Sequence, residues 1–526
     1  MLSILIWLPL AAALIGALLP RRVGPRVALL GALGTLGLSI YLLVDFNVGG
    51  GLQHVTDELW ISSLGIHYKL GIDGLNILLI VLTAFVFAGA VLAANLREWD
   101  RPRTFYFQLA LAESGVLGAF CAQDLALFVM FFDVMLIPFY FLIGTWGGRD
   151  SIAATRKLVI YTLVGSLFML VAAVATGVLT ASDADAPLSF AFTDLARNIL
   201  DSGEQYWLFL FFAFAFIVKM PLFPFHGWMP DGYRAMPIPV LMAFGAVLAK
   251  VASYGFLKIT LPLFPDAAVH FQTLLLVIAI VAIIYGSIMA FTQRNVRLIV
   301  GYSSMAQMGF ITLGIFSLQP EGSQGAIFQM VNHAIVAAPL FFILALVAAR
   351  SGDSEDLNDM GGVATKAPVL AALFLIVSLA TLAMPGSPNF VGEFFILLGV
   401  FDEKMVFSII AFSGVVFASV YMLRAYIRMM HNERGPKVTE GRREMSFADG
   451  LVIVPFVLVL LALALYPQYA LDRSERAAEV ALVRTERVQN PPPRRPASQL
   501  GQIPQQGAQQ LPQQGGAQQV PQGATP

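Results

Sequence analysis

The chain is poor in charge and almost empty of cysteine. Of its 526 residues, 12% are Asp, Glu, Lys or Arg and 58% are apolar. Soluble globular domains carry about a quarter charged residues, so this shortfall excludes an ordinary soluble domain. The one cysteine, Cys121, lies in an apolar context and cannot by itself hold an iron–sulfur cluster, a Cys-rich zinc site or an internal disulfide. No phosphate-cradling or dinucleotide glycine pattern occurs in a strand–helix setting. There is no dense basic stripe, and the net charge of −1 gives no reason to expect a nucleic-acid partner. The alternation of an outer-membrane barrel is also missing. The composition therefore predicts a chain with no metal, nucleotide or redox cofactor of its own.

What the chain has instead is a succession of apolar runs. Runs of roughly 18 or more residues are long enough to cross ~30 Å of hydrocarbon as helices. The expected fold is an all-α polytopic membrane protein of about fourteen helices. Their predicted spans are roughly 2–19, 27–46, 73–94, 104–120, 123–143, 156–180, 206–230, 239–261, 270–291, 297–317, 324–349, 368–399, 406–429 and 448–466. The opening "MLSILIWLPLAAALIGALLPRR" reads as a first membrane helix and not as a signal peptide, because its arginines follow the apolar run. Lys and Arg concentrate after odd-numbered helices, at Arg21, Arg22 and Arg26, at Arg149, Arg156 and Lys157, and at Arg434, Lys437, Arg442 and Arg443. The positive-inside rule then places both termini on the outer side. From about residue 488 to 526 the chain turns to Pro, Gly and Gln, the composition of a disordered tail.

Two predicted helices carry breaks. The seventh contains Pro221, Pro224 and Gly227, and the twelfth contains Pro385, Gly386 and Pro388. Interior prolines interrupt the helical hydrogen-bond ladder. In lipid such a break persists only where protein buries it or water lines it. The breaks lie five helices apart, which suggests two inverted five-helix units, 104–261 and 270–430. Residues 1–103 would then form three leading helices, and 448–466 the last one.

Ionisable groups fall inside these runs: Glu113, Asp133, Lys219, Lys250, His333 and Glu393. Glu113, Asp133, Lys250 and His333 each lie ~13–16 Å from a helix end and so share one depth. Each costs roughly 2.5–3.5 kcal/mol to insert. Six unpaired would approach ~15–20 kcal/mol, above the net stability of many domains. They must therefore pair or be hydrated. Asp133 and Lys219 are natural partners, and a lysine held by a removable carboxylate is a switchable proton store. Lys250 has no acid on its own helix and is central enough to make snorkelling difficult. Blander readings exist for the others: Glu113 as an interhelical bond, His333 as a satisfied core histidine, Asp124 as a helix cap, and His226 and Asp231 as shapers of a loop or an entrance.

Five segments carry a resemblance: "FFDVMLIPFYFLIGTWGG", "AFIVKMPLFPFHGWMPD", "VLAKVASYGFLKITLPLFP", "IVGYSSMAQMGF" and "LAMPGSPNFVGEFFILLG". They resemble the antiporter-like subunits of respiratory complex I, and the likeness extends over roughly residues 1–470. The resemblance implies a proton-translocating subunit in a bacterial inner membrane, driven by quinone reduction elsewhere in the assembly. Its partners would be the other membrane subunits, including neighbouring antiporter-like ones. FMN, iron–sulfur clusters and quinone would reside in partner subunits. The resemblance further implies an Asp133–Lys219 coupling pair, Lys250 as central proton carrier, His333 in the relay and Glu393 as the exit-side acid, with Glu113, His226 and Gln307 as accessory positions. Two positions depart from the family pattern. Asp133 stands where Glu is usual, and Gln307 stands where His is frequent. Glutamine cannot titrate; it can only orient water. A subunit of a multi-chain sodium/proton antiporter is the alternative within transport. A membrane hydrolase built on His226, Asp231 and Glu393 lacks a nucleophile motif, and a bare structural anchor leaves the buried charges unexplained.

Overall fold

The computed structural model describes residues 1–184, 187–438 and 444–491. Its helices follow from the apolar runs, since a helix satisfies its own backbone hydrogen bonds where lipid offers none. Among the described residues, ten helices are long and apolar enough to cross a membrane, and Leu2–Leu18 and Pro368–Thr381 are shorter apolar ones. Burial separates them into layers. The most apolar stretches of Ile238–Leu263 and Val296–Ile315 are wholly buried, whereas only 33% of that of Gly24–Asp45 and 28% of that of Phe447–Leu465 is. Lys250, Gln307 and His333 therefore sit on helices screened by other helices, Pro320–Arg350 being 89% buried over its most apolar stretch.

Backbone contact holds the centre together. A Cβ on Gly286 would lie 2.9 Å from the Tyr302 carbonyl oxygen, and one on Gly309 would lie 2.8 Å from that of Ala279. Any larger residue at either position would push Gln272–Thr292 away from Val296–Ile315.

Both proline-marked breaks are present. The helix Ser202–Lys219 stops at Lys219, and the chain is non-helical until Met229–Ala235. The helix Pro368–Thr381 stops six residues before Ser387 caps the next, accepting from the Phe390 amide at 3.3 Å. A third interruption divides Leu125–Val134 from Leu136–Trp146 at Met135. Pro138 explains it, since its ring crowds the carbonyl four residues back, at Val134. The Ile238–Leu263 span contains two π-helical turns, Phe244–Leu248 and Phe256–Thr260, on either side of Ala249–Gly255. Such turns widen a helix locally and recur at functional sites.

Three expectations are corrected. The fold is not all-α: strands β1, Gln53–Ile61, and β2, Ile66–Ile72, form an antiparallel hairpin closed by Gly65 at φ +60°. Consequently the third membrane helix begins at Ile77 and not at 73. The expected separation before residues 406–429 is present, because the run Pro388–Met430 is two helices that meet at a kink at the non-helical Lys404. Finally, Gln468–Gln489 is helical, including two residues assigned to the tail. Its buried Ala470, Leu471, Ser474, Ala478, Ala481, Leu482 and Thr485 recur at helical spacing. These elements form one unit, Met1–Gln489. A second unit, Asn490–Pro526, is described only at residues 490 and 491. The rest of the predicted tail, and Arg442 and Arg443, lie outside the described residues.

Candidate functional site

Lys250 stands near the middle of Ile238–Leu263, roughly 18–20 Å from either end at 1.5 Å per residue. It is fully buried, on the short α-helical segment between the two π turns. Its Nζ lies 2.6 Å from Nδ1 of His333, which is itself buried on Pro320–Arg350. At that distance the two nitrogens form a hydrogen bond in which one donates and the other accepts. His333 is thus hydrogen-bonded in the core, and its partner is a buried lysine.

One turn before His333 on the same helix, Gln329 continues the polar line. Its Nε2 donates to Oε1 of Gln307 at 2.7 Å, and Nε2 of Gln307 donates to Oε1 of Glu393 at 2.8 Å. All three side chains are buried. Three helices, Val296–Ile315, Pro320–Arg350 and Pro388–Met430, thus supply one hydrogen-bonded string. Its acid lies just past the second break, where Asn332 Nδ2 also donates to the Pro388 carbonyl at 2.8 Å. Each of the Gln329, Asn332 and Asn389 side chains keeps an oxygen that accepts no bond from protein. These are free acceptors beside the acid. Gln329 went unnoticed in the sequence, although its four-residue spacing from His333 was visible there.

Asp133 and Lys219 are brought close but not into contact. No ion pair within 4 Å joins them; the Lys219 ammonium instead donates to the Phe132 carbonyl at 3.4 Å and sits 4.4 Å from the centre of the Phe132 ring. Lys219 is also the last residue of Ser202–Lys219, where the helix dipole favours a cation. Oδ1 of Asp133 has no hydrogen-bond donor.

Two accessory positions stand apart. Glu113 is buried on Pro102–Cys121 with an unpartnered Oε1 and takes no part in the string. His226 lies in the first break, where its Nε2 is 3.2 Å from the Tyr285 hydroxyl. Asp231, just beyond, accepts from Lys157 at 2.8 Å. Both Asp231 and Lys157 line a cavity of about 720 Å³ with Arg149, Arg156, Arg234 and Glu355. This basic chamber lies at the end where Ile238–Leu263 begins. Asp124 caps Leu125–Val134 as expected, accepting from the Leu127 amide at 3.0 Å. Among the described residues no cluster of three metal-ligating side chains occurs.

Known proteins share this architecture. The NADH-quinone oxidoreductase subunit M of Rhodobacter capsulatus is 36% identical over 486 residues, 90% of this chain and 94% of that protein. A chain of respiratory complex I from Thermus thermophilus superposes with a TM-score of 0.84 at 30% identity, covering 92% of this chain and all of that one. A chain of the Mrp complex from Dietzia sp. DQ12-45-1b gives a TM-score of 0.80 at 21% identity, over 93% and 99% of the two chains, which is a likeness of fold. Residues 122–437, which include every residue of the string, match one family along their whole length. The chain belongs to the family described as NADH:quinone oxidoreductase/Mrp antiporter, TM.

Proposed function

We propose that this chain is a proton-translocating, antiporter-like membrane subunit of an NADH:quinone oxidoreductase, with the part that subunit M takes in its relatives. The observation that carries the reading is the Lys250–His333 contact of 2.6 Å inside a buried layer, with a hydrogen-bonded string leading on to Glu393 close by. A hydrogen bond between two buried bases has no structural use that apolar packing would not serve better. The placement of FMN, iron–sulfur clusters and quinone in partner subunits belongs to the same reading. The matching complex I and Rhodobacter proteins favour it over the sodium/proton antiporter alternative. Co-purification with flavin and iron–sulfur subunits separates the two.

The membrane is the bacterial inner membrane, crossed by about fourteen segments. Pro388–Met430, at 43 residues, is ~65 Å long, twice the ~30 Å of hydrocarbon, and its non-helical Lys404 supports two crossings. The first part completes the broken helix begun by Pro368–Thr381. Leu2–Leu18, Pro102–Cys121 and Ser202–Lys219 add three more crossings. The two breaks support inverted units 104–261 and 270–430. The Lys/Arg bias puts the basic chamber in the cytoplasm and both termini outside.

In this mechanism a proton enters from the chamber and loads Lys250. Lys250 and His333 share it at 2.6 Å. Glu393 takes it at the far end, held in place by Gln307. Movement of Lys219 between the Phe132 carbonyl and Asp133 changes the field at Lys250 and so sets whether it holds the proton. Reconstituted complexes carrying Lys250→Ala test the scheme: protons moved per electron should fall, and an undiminished ratio would remove Lys250 as an obligatory carrier.

A further inference from the structure

The Ile238–Leu263 helix carries more polar chemistry than a relay through His333 uses. Lys250, Tyr254 and Lys258 recur every four residues and so lie along one face. Tyr254 is fully buried against Phe120, yet its hydroxyl makes no hydrogen bond of normal geometry. Buried tyrosines usually find a partner for that group. Asn76 connects the surroundings of Tyr254 to Asp73: the Asn76 Nδ2 donates at 2.8 Å to the carbonyl of Phe120, whose ring packs on Tyr254, and the Asn76 side-chain oxygen accepts from the Asp73 amide at 2.9 Å. Asp73 accepts from Lys258 Nζ at 2.7 Å and from the Leu75 and Asn76 amides at 3.0 and 3.3 Å. Asp73 and Lys258 both line a cavity of about 390 Å³, with Arg473, Arg476 and Val480 of Gln468–Gln489 on its other side. The basic chamber lies at the start of Ile238–Leu263, and this second cavity lies at its end.

We propose that Tyr254, Asp73 and Lys258 form a second branch of the proton path, running from Lys250 to the hairpin end of the bundle without passing His333 or Glu393. The branch rests on the reading of Lys250 as a proton carrier. Lys250 and Tyr254 are one turn apart, about 6 Å along the axis, a distance one bridging water spans. The Lys250 ammonium gives up a proton through that water. The Tyr254 oxygen accepts it while its own hydroxyl proton leaves towards Asp73, so the tyrosine ends neutral, as it began. The Asp73 carboxylate takes the proton and loses its charge, which loosens its pair with Lys258. Release into the cavity restores the carboxylate and the pair. Lys258 thereby acts as a positioning residue, holding the Asp73 carboxylate in place between transfers.

The test uses the assembled complex in proteoliposomes, with protons moved per electron as the readout. Tyr254→Phe keeps the ring and removes only the hydroxyl. It should lower the ratio, by less than Lys250→Ala does because the His333–Glu393 route remains, while electron transfer continues; a merely structural tyrosine would leave the ratio alone. Where Tyr254→Phe fails to assemble, Val480→Cys decides. Val480 is 63% exposed and lines the cavity, and the one native cysteine of the chain is buried. Treatment of Val480→Cys with a bulky, membrane-impermeant thiosulfonate from the hairpin side should lower its ratio relative to the untreated variant. Full pumping by Tyr254→Phe and by the treated variant, with Lys250→Ala impaired, overturns the branch and leaves the carrier reading standing. Full pumping by Lys250→Ala overturns both.

Discussion

Gln307 is held from both sides: its Oε1 accepts from Gln329 at 2.7 Å, and its Nε2 donates to Glu393 at 2.8 Å. The first bond fixes which end of the amide faces the second. Gln329 can offer only its NH2 to the Gln307 oxygen, so the Gln307 NH2 must point at the carboxylate. A residue that cannot titrate therefore fits this position, because its work is to orient the acid.

Replacing Gln307 by Leu would strand the Glu393 carboxylate and the Gln329 amide together. Each lost partner in a buried setting costs roughly 1–3 kcal/mol. Gln307→Leu should lower the thermal midpoint of the purified complex and reduce protons moved per electron, whereas Gln307→His, which keeps a donor, should be milder in both. Wild-type behaviour of the leucine variant in both measurements would refute the orienting role.

Asp133 and Lys219 offer a different kind of test, because the structure holds them near but apart. Asp133→Glu adds one methylene and should bring a carboxylate oxygen within 4 Å of Lys219 Nζ, drawing the ammonium off the Phe132 carbonyl. Asp133→Ala and Lys219→Ala should each depress pumping, and the double variant should be no worse than either single one. Residues acting on one another typically show interaction energies of about 0.5–3 kcal/mol in such a cycle. Strict additivity would show that the two act separately.

The hairpin carries a pH dependence of its own. Burial by itself would raise Asp57, but the hydrogen bonds from Lys69 and His67 outweigh it and hold the carboxyl below its ordinary 3.8. The contacts are 2.9 Å to Lys69 Nζ and 2.7 Å to His67 Nδ1. A carboxyl lowered in the folded state lends stability that is fully present above its unfolded value and disappears as pH falls through its folded value. Protection of the β1 and β2 amides from exchange should therefore hold down to the ordinary carboxylate range and drop below it. Asp57→Asn should flatten that drop; an unchanged profile would place the acid sensitivity elsewhere.

Reading from sequence worked where a rule is local. Prolines at 221, 224, 385 and 388 mark breaks because they come in pairs with a glycine close by, whereas the single Pro9, Pro339 and Pro455 stay inside their helices. The hairpin is not legible in the sequence because "QHVTDELWI" and "IHYKLGI" are short and half polar beside long apolar runs. Gln468–Gln489 is hard to see in the sequence because its mix of charge and alanine is too polar for a membrane span, although its buried face is periodic.

Composition and order alone determined that this is a membrane bundle with broken helices and with acids, lysines and a histidine placed where lipid would not tolerate them unpaired. Which of those groups meet was decided only by the tertiary structure. His333 is 83 residues from Lys250, and Glu393 is 86 from Gln307. Helical periodicity assigns a residue to a face and a depth, but a hydrogen bond reaches only about 3 Å. That last distance depends on how neighbouring helices pack: on glycines that let two backbones touch, on π turns that widen the Lys250 helix, and on an ammonium drawn to the Phe132 carbonyl and not to the Asp133 carboxylate.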